Sequence, residues 1–196
     1  MDIRPVILTG KYVRLEPLQE AHAPRLAVYG LDEEIWRWMR YGQIHTEAEL
    51  LAWVRDLLDL QAQGNDLPFA VIALPVNQAV GASRYLNINR KDRSVEIGGT
   101  WYGHAFQGTA VNAESKYLLL RHAFESLGCV RVHFKTDLRN LRSQHGIEKL
   151  GAVKEGVLRN HMILPDGTIR SSVIYSILAE EWQKVKERLE ERLSKY

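Results

Sequence analysis

At 196 residues the chain is little longer than one of the ~150-residue units that domains average, which argues against a second independent catalytic domain; one domain spanning residues 1–196 is expected. A hydrophobic share of 45% beside 26% charged residues excludes a disordered or fibrous chain. With 26 Lys+Arg against 24 Asp+Glu, the net charge of +2 is too small to be the electrostatic footprint of a nucleic-acid binder, so no direct nucleic-acid partner is expected.

The single cysteine, Cys129, excludes an intramolecular disulfide and any Cys-x-x-Cys metal knuckle, and suits a reducing compartment. Met1 to Gly10 carries Asp2, Arg4 and Pro5 and no apolar stretch of signal-peptide length. The most apolar run, Leu67 to Val76, is broken by Pro68 and Pro75 and is about half the ~20 residues a bilayer crossing needs. A soluble cytoplasmic protein with no membrane partner is therefore expected.

In chain order, Tyr12 to Glu16 alternates around Val13 and Leu15 and reads as a strand, followed by a helical stretch through His22, Leu26 and Ala27 to Gly30. Leu31 to Gln43 is short and aromatic-rich, after which Thr46-x-x-Glu49 has the capping-box form that opens a helix ending near Gly64. Phe69 to Leu74 is an uninterrupted apolar run, as in a strand covered on both faces. Val80 to Ile88 and Val95 to Trp101 alternate and complete an antiparallel meander.

Val111 to Leu127 is strongly helical and closed by Gly128; Val130 to Asp137 is a strand whose arrival through that helix favours parallel pairing with the strand before it. A helix over Asn140 to Leu150 follows. Val153 to Leu164 and Thr168 to Leu178 are strands joined at the hairpin signal Pro165-Asp166-Gly167, and Trp182, Val185, Leu189 and Leu193 give the last helix an apolar face. That face can pack on its own domain or on a twofold partner in a homodimer.

No HExxH, GxSxG, GxxxxGK[ST] or GxGxxG occurs, so zinc-peptidase, nucleophile-elbow, P-loop and Rossmann readings lack their defining parts. The seven histidines are scattered, none paired at helical i, i+4 spacing, and no metal is expected; Cys129 reads as a buried core thiol.

One segment has a definite chemical logic: a strand ending at Trp101, the small-residue run Gln107-Gly108-Thr109-Ala110-Val111-Asn112, then a long helix. Small residues at a helix N-terminus let backbone N–H groups approach an anion that the helix dipole favours, which describes a pyrophosphate cradle as well as it describes a tight turn. Gly98-Gly99 just upstream indicates a bulge or a close backbone approach.

Glu96-Ile97-Gly98-Gly99-Thr100-Trp101, the Gln107 to Glu114 run, Asn140-x-x-Ser143 and Ile147 to Gly151 together resemble the GNAT superfamily of N-acetyltransferases, and within it the RimJ/RimL ribosomal-protein N-terminal acetyltransferases. The resemblance extends from Tyr12 to Leu178. It implies an α/β (α+β) fold: a mixed, mostly antiparallel sheet of about seven strands, with a parallel pair at the cofactor cleft and flanking helices. It also implies acetyl-CoA as co-substrate and an amine acceptor, the first choice being a ribosomal-protein N-terminus, with direct transfer.

In that family the loop reads [QR]-x-x-G-x-[GA]. Gln107 and Gly108 fit, whereas Ala110 stands where a glycine is usual and Asn112 where Gly or Ala is usual. The loop, with Thr109 and Val111, is read as altered but functional. The resemblance places the pantetheine arm beside Trp101 and Tyr102, gives Asn140 a contact with it, and puts Ser143 near the thioester as the candidate acid. Asn140 and Ser143 alone read equally as a helix cap. Glu96 is the first candidate base and Asp137 the second, with a solvent-facing strand carboxylate the alternative for Glu96. Trp36, Trp38 and Tyr41 can wall an acceptor groove or simply fill a core. Competing functions are a non-catalytic acyl-CoA-binding module and an acetyltransferase for polyamines, aminoglycosides or amino acids.

Overall fold

The computed structural model describes all 196 residues. The strands are β1 (Leu8–Thr9), β2 (Val13–Pro17), β3 (Leu67–Ala73), β4 (Gln78–Asn89), β5 (Ser94–Tyr102), β6 (Arg131–Asp137), β7 (Val153–Ile163) and β8 (Ile169–Leu178). The helices are α1 (Ala23–Gly30), α2 (Glu33–Trp36), α3 (Glu47–Ala62), α4 (Ala110–Arg121), α5 (Leu141–Glu148) and α6 (Trp182–Leu193). All strands join one eight-stranded sheet in the order β1-β2-β3-β4-β5-β6-β8-β7. Only β5 and β6 run parallel; every other neighbouring pair is antiparallel.

The expected mixed sheet with one parallel pair is present, with eight strands instead of about seven. The extra strand, β1, has two residues and pairs with β2 across the Gly10 turn, too short for alternation to reveal it.

Strand alternation sends side chains to two separate cores. One face, carrying Val95, Ile97, Val132 and Phe134, packs on α4, α5 and α6; the other, carrying Ala70, Ile72, Ala82 and Trp101, packs on α1, α2 and α3. Thr46 caps α3 through the Glu49 amide, and Glu49 returns the bond. Trp182, Val185 and Leu189 of α6 lie in the first core, so the apolar face of the last helix is used within its own chain.

The helix expected over Val111 to Leu127 is interrupted. It is regular to Arg121, and His122–Ser126 then form a π turn in which the Leu127 amide donates to the His122 carbonyl. The change coincides with Tyr85 of β4, whose hydroxyl donates to the Leu119 carbonyl at 2.5 Å. No helix is long and apolar enough to cross a membrane.

Candidate functional site

The parallel pairing of β5 with β6 is short: Ser94, Val95 and Glu96 meet Arg131, Val132 and His133, and beyond that the strands separate. Their divergence opens a wedge in the sheet, floored by α4. On its β4 side, β5 changes register between the Gly98 and Trp101 pairings, and Gly99 sits in the bulge at φ +57°. A Cβ there would lie 2.9 Å from Arg84 Nε, so both the left-handed backbone and the arginine require glycine.

The Trp101 carbonyl faces Gly81 on β4. Peptide groups alternate in direction along a strand, so those of Thr100 and Tyr102 face away from β4, toward the opening. Trp101 otherwise contributes its indole to the second core, and Tyr102 its ring to the first.

At the wide end of the wedge, β5 leads into the loop before α4. Gly108 takes φ +75°, and a side chain built on it would meet nothing within 4 Å, so the space above this backbone is open. Thr109 caps the helix: its hydroxyl accepts from the Val111 amide at 3.3 Å and donates to the Phe106 carbonyl at 2.8 Å. The first amides of α4 have no intrahelical acceptor, and the macrodipole adds partial positive charge there. Ala110 is buried, whereas Asn112 is half-buried. Gln107 is committed within the protein, its Nε2 donating to the Tyr102 carbonyl and its Oε1 accepting from Arg142.

Across the opening, Asn140 caps α5, its Oδ1 accepting from the Ser143 amide at 3.0 Å. The cap reading of these two residues is thus realised, and it leaves the partly exposed Ser143 hydroxyl for other partners.

On the face opposite α4, the structure gathers charged residues that sequence patterns left unconnected. Glu96 is 3% exposed, which overturns the solvent-facing reading of this strand carboxylate. It accepts from Asn87 Nδ2 at 2.7 Å and pairs with Lys135 Nζ at 3.2 Å and His133 Nε2 at 3.4 Å. Burial alone would raise its pKa, but His133, Lys135 and Asn87 together hold it below the ordinary carboxylate value. Asp137 is likewise buried; Arg139 grips both its oxygens, at 3.0 and 2.7 Å, and outweighs burial to keep it ionised.

A third buried acid, Asp66, pairs with Arg84 at 2.6 Å, and Arg84 also donates to the Tyr41 hydroxyl. Nothing in sequence spacing joins Asp66, Arg84, Lys135 and Arg170. The only signal is at Arg84, which takes an apolar-face position in the alternation of Val80, Ala82, Leu86 and Ile88.

The segment after α2 meets the β7–β8 hairpin above these acids. Arg170 donates to the Trp38 carbonyl at 3.1 Å, Arg139 lies 5.2 Å over the Trp38 ring, and a Cβ on Gly42 would touch Pro165 at 3.6 Å. Trp38 and Tyr41 are therefore at the opening. Trp36 is not: it is 1% exposed, donates to the Gly30 carbonyl at 2.7 Å and packs on Trp53 and Trp101, so it is a core residue with no surface to offer an acceptor. Asp32 caps α2 through the Glu34 amide at 3.0 Å. No group of three or more His, Cys, Asp or Glu side chains is placed to hold a metal ion.

The place where β5 and β6 part thus forms a passage between two chemically different ends. One end has small residues at a helix N-terminus and suits a phosphate; the other is roofed by Trp38, Tyr41 and the hairpin, over buried charges.

Comparison with known proteins agrees with this geometry. The model of the acetyltransferase (GNAT) domain matches residues 13–153. YdaF of Bacillus subtilis (strain 168), provisionally named a ribosomal N-acetyltransferase, is 23% identical over 182 residues, covering 89% of this chain and 95% of its own. The crystal structure of a provisionally described acetyltransferase from T. thermophilus superposes with TM-score 0.89 at 42% identity, covering 98% of this chain and 100% of that one. RimJ of Mycobacterium smegmatis, in complex with CoA-disulfide, superposes with TM-score 0.79 at 21% identity, covering 95% and 91%.

Proposed function

The chain belongs to the GNAT acetyltransferase family, and we propose that it moves an acetyl group from acetyl-CoA directly to the α-amine of a protein N-terminus, as one domain spanning residues 1–196 and working in the cytoplasm. The observation that carries this reading is the continuity of the wedge with the open backbone at Gly108: an unobstructed helix N-terminus follows directly on the strand that parts from β6. Acetyl-CoA supplies the thioester whose carbonyl is the electrophile.

In this reading the backbone of residues 108–112 holds the pyrophosphate, and Asn112 adds a side-chain donor where family members have Gly or Ala. The Thr100 and Tyr102 peptide groups and Asn140 hold the pantetheine arm, and the Ser143 hydroxyl hydrogen-bonds the departing thiolate. The acceptor enters beneath Trp38 and Tyr41.

Glu96 and Asp137 are weak bases, because both are held ionised by neighbouring cations. A strong base is unnecessary: an α-amine with pKa near 7.7–8.0 is substantially neutral at about pH 7.5. Glu96 instead orients the amine, as its carboxylate lies at the inner end of the passage. The rate should then follow the acceptor's own ionisation. Glu96→Gln is expected to lower kcat/KM by about 10–100-fold while leaving the inflection near about pH 8 in place; an inflection displaced in the variant would make Glu96 the base. Ser143→Ala is expected to lower kcat about tenfold with the KM for acetyl-CoA unchanged, and wild-type kcat would remove its role.

Charge at the opening supports an N-terminal acceptor over a polycationic one. Arg40, Arg84, Lys135, Arg139 and Arg170 outnumber Asp66, Glu96, Asp137 and Asp166, and each of these acids is already within range of a cation. Polyamines and aminoglycosides would be repelled, whereas one amine followed by neutral or acidic residues would be accepted. The name carried by YdaF supports a ribosomal protein as the source of that N-terminus.

A further inference from the structure

Lys116 lies on the buried face of α4, 8% exposed, with its ammonium group between β5 and β6 where the wedge begins. Its Nζ donates to Thr100 Oγ1 of β5 at 2.5 Å and stands 6.0 Å from the centre of the Phe134 ring of β6. Thr100 is four residues beyond the last β5–β6 pairing and Phe134 one residue beyond it, so the amine spans the gap at the point where the two strands part. Thr100 Oγ1 also shares a hydrogen with Ser83 Oγ of β4 at 2.7 Å, which fixes the threonine and through it the lysine.

An ammonium has three donors, and here the protein takes one. No carboxylate faces it. On β5 the nearest acid, Glu96, is turned to the opposite face of the sheet with Lys135 and His133. Of the other titratable groups on the α4 side, Tyr85 of β4 and Tyr102 of β5 are phenols that burial keeps neutral. From β6 this face presents Val132 and Phe134. On α4 itself, Glu114 is engaged with the amides of Lys11, Tyr12 and Val13. Burial with no compensating charge pushes the Lys116 ammonium down to about 7.

A buried cation with unspent donors is costly unless something arrives to use them. In the reading above, which this inference rests on and deepens, the anion that appears in the wedge is the thiolate released when the carbon–sulfur bond breaks. We propose that the Lys116 ammonium is the counter-cation of that thiolate, donating a hydrogen bond to the sulfur, with Ser143 a second hydrogen bond on the same atom. As the acceptor nitrogen bonds the carbonyl carbon and the carbon–sulfur electron pair returns to sulfur, the negative charge that develops there is met by the Nζ hydrogens, which stay on nitrogen. The proton shed by the acceptor nitrogen goes to water, and the thiolate takes one from water as CoA leaves. The net change is one proton moved from amine to thiol.

The product complex tests this without turnover. CoA is titrated with pH in the presence of wild-type protein, K116M and K116R, with the thiolate followed by its ultraviolet absorbance and binding followed by calorimetry. Wild-type protein is expected to lower the pKa of the bound thiol by at least about one unit from the ~8.5 of a free thiol, a tenfold gain in thiolate. K116M should bind CoA and return the thiol to its free value, and K116R, which keeps the charge, should restore part of the shift. A bound thiol that titrates like free CoA in the wild-type protein overturns the role of Lys116 alone, whether or not K116M folds. Absence of CoA binding to the wild-type protein overturns the acetyltransferase reading and this inference with it.

Discussion

Glu114→Ala is expected to lower the unfolding free energy by about 3 kcal/mol, as much as many large-to-small core substitutions cost. The Glu114 carboxylate accepts the amides of Lys11, Tyr12 and Val13 at 2.8, 2.6 and 2.8 Å, tying α4 to the turn between β1 and β2. Removing it orphans three N–H groups at about 1–3 kcal/mol each, partly offset by no longer burying a carboxylate. For a chain of this length that corresponds to roughly a 6–12 °C fall in Tm. Glu114→Gln should recover little, because an amide presents a donor where the site offers donors. Thermal and urea unfolding measure both variants; a loss under about 1 kcal/mol in each would show that water replaces the carboxylate. Gly10 belongs to the same contact, since a Cβ there would run into the Glu114 carboxylate.

Asn112→Asp should separate stability from ligand binding by moving them in opposite directions. Asn112 is the third residue of α4, after the Thr109 cap. An acid there complements the helix dipole and is expected to stabilise the fold by about 0.3–1 kcal/mol. The same charge about 5 Å from a bound pyrophosphate is repelled by roughly 1–3 kcal/mol at the dielectric of a protein surface, which weakens acetyl-CoA about 5–150-fold. The loss should shrink as salt is added. Asn112→Gly, which restores the residue type usual in the family, should keep the affinity within about threefold. Calorimetric titration at low and high salt decides the matter, and an unchanged dissociation constant for Asn112→Asp would place the phosphates elsewhere.

Much of the frame was legible in the sequence because it rests on local chemistry. The Thr46-x-x-Glu49 box forms as written, the Pro165-Asp166-Gly167 turn joins β7 to β8, and the helix between β5 and β6 forces their parallel pairing. Gly98-Gly99 marks a true bulge. What stayed hidden depends on partners distant in the chain. A two-residue strand has no periodicity, the π turn forms beside Tyr85, and the Asp66–Arg84 pair joins residues far apart in the chain.

Glu114 and Lys116 were hidden in the sequence, where they read as ordinary solvated helix charges. Ala113 to Leu120 of α4 are buried without a break, so the helix has no wet face on which those two charges could sit. Charged residues in such a helix must be bonded inside the protein. Trp36 shows the converse error: an aromatic cluster near an expected opening can be core, and its burial between Gly30, Trp53 and Trp101 is set by tertiary packing.

The most direct test of the central claim is transfer itself. The protein is incubated with acetyl-CoA and a panel of N-terminal peptides, polyamines and aminoglycosides, and products are identified by mass spectrometry while free thiol is counted. Peptides with neutral or acidic residues after the α-amine should gain one acetyl group on that amine, with one thiol released per acetyl and little product from the polycations. Tight acetyl-CoA binding with no acetylated product across the panel would contradict the account and leave a ligand-binding module in its place.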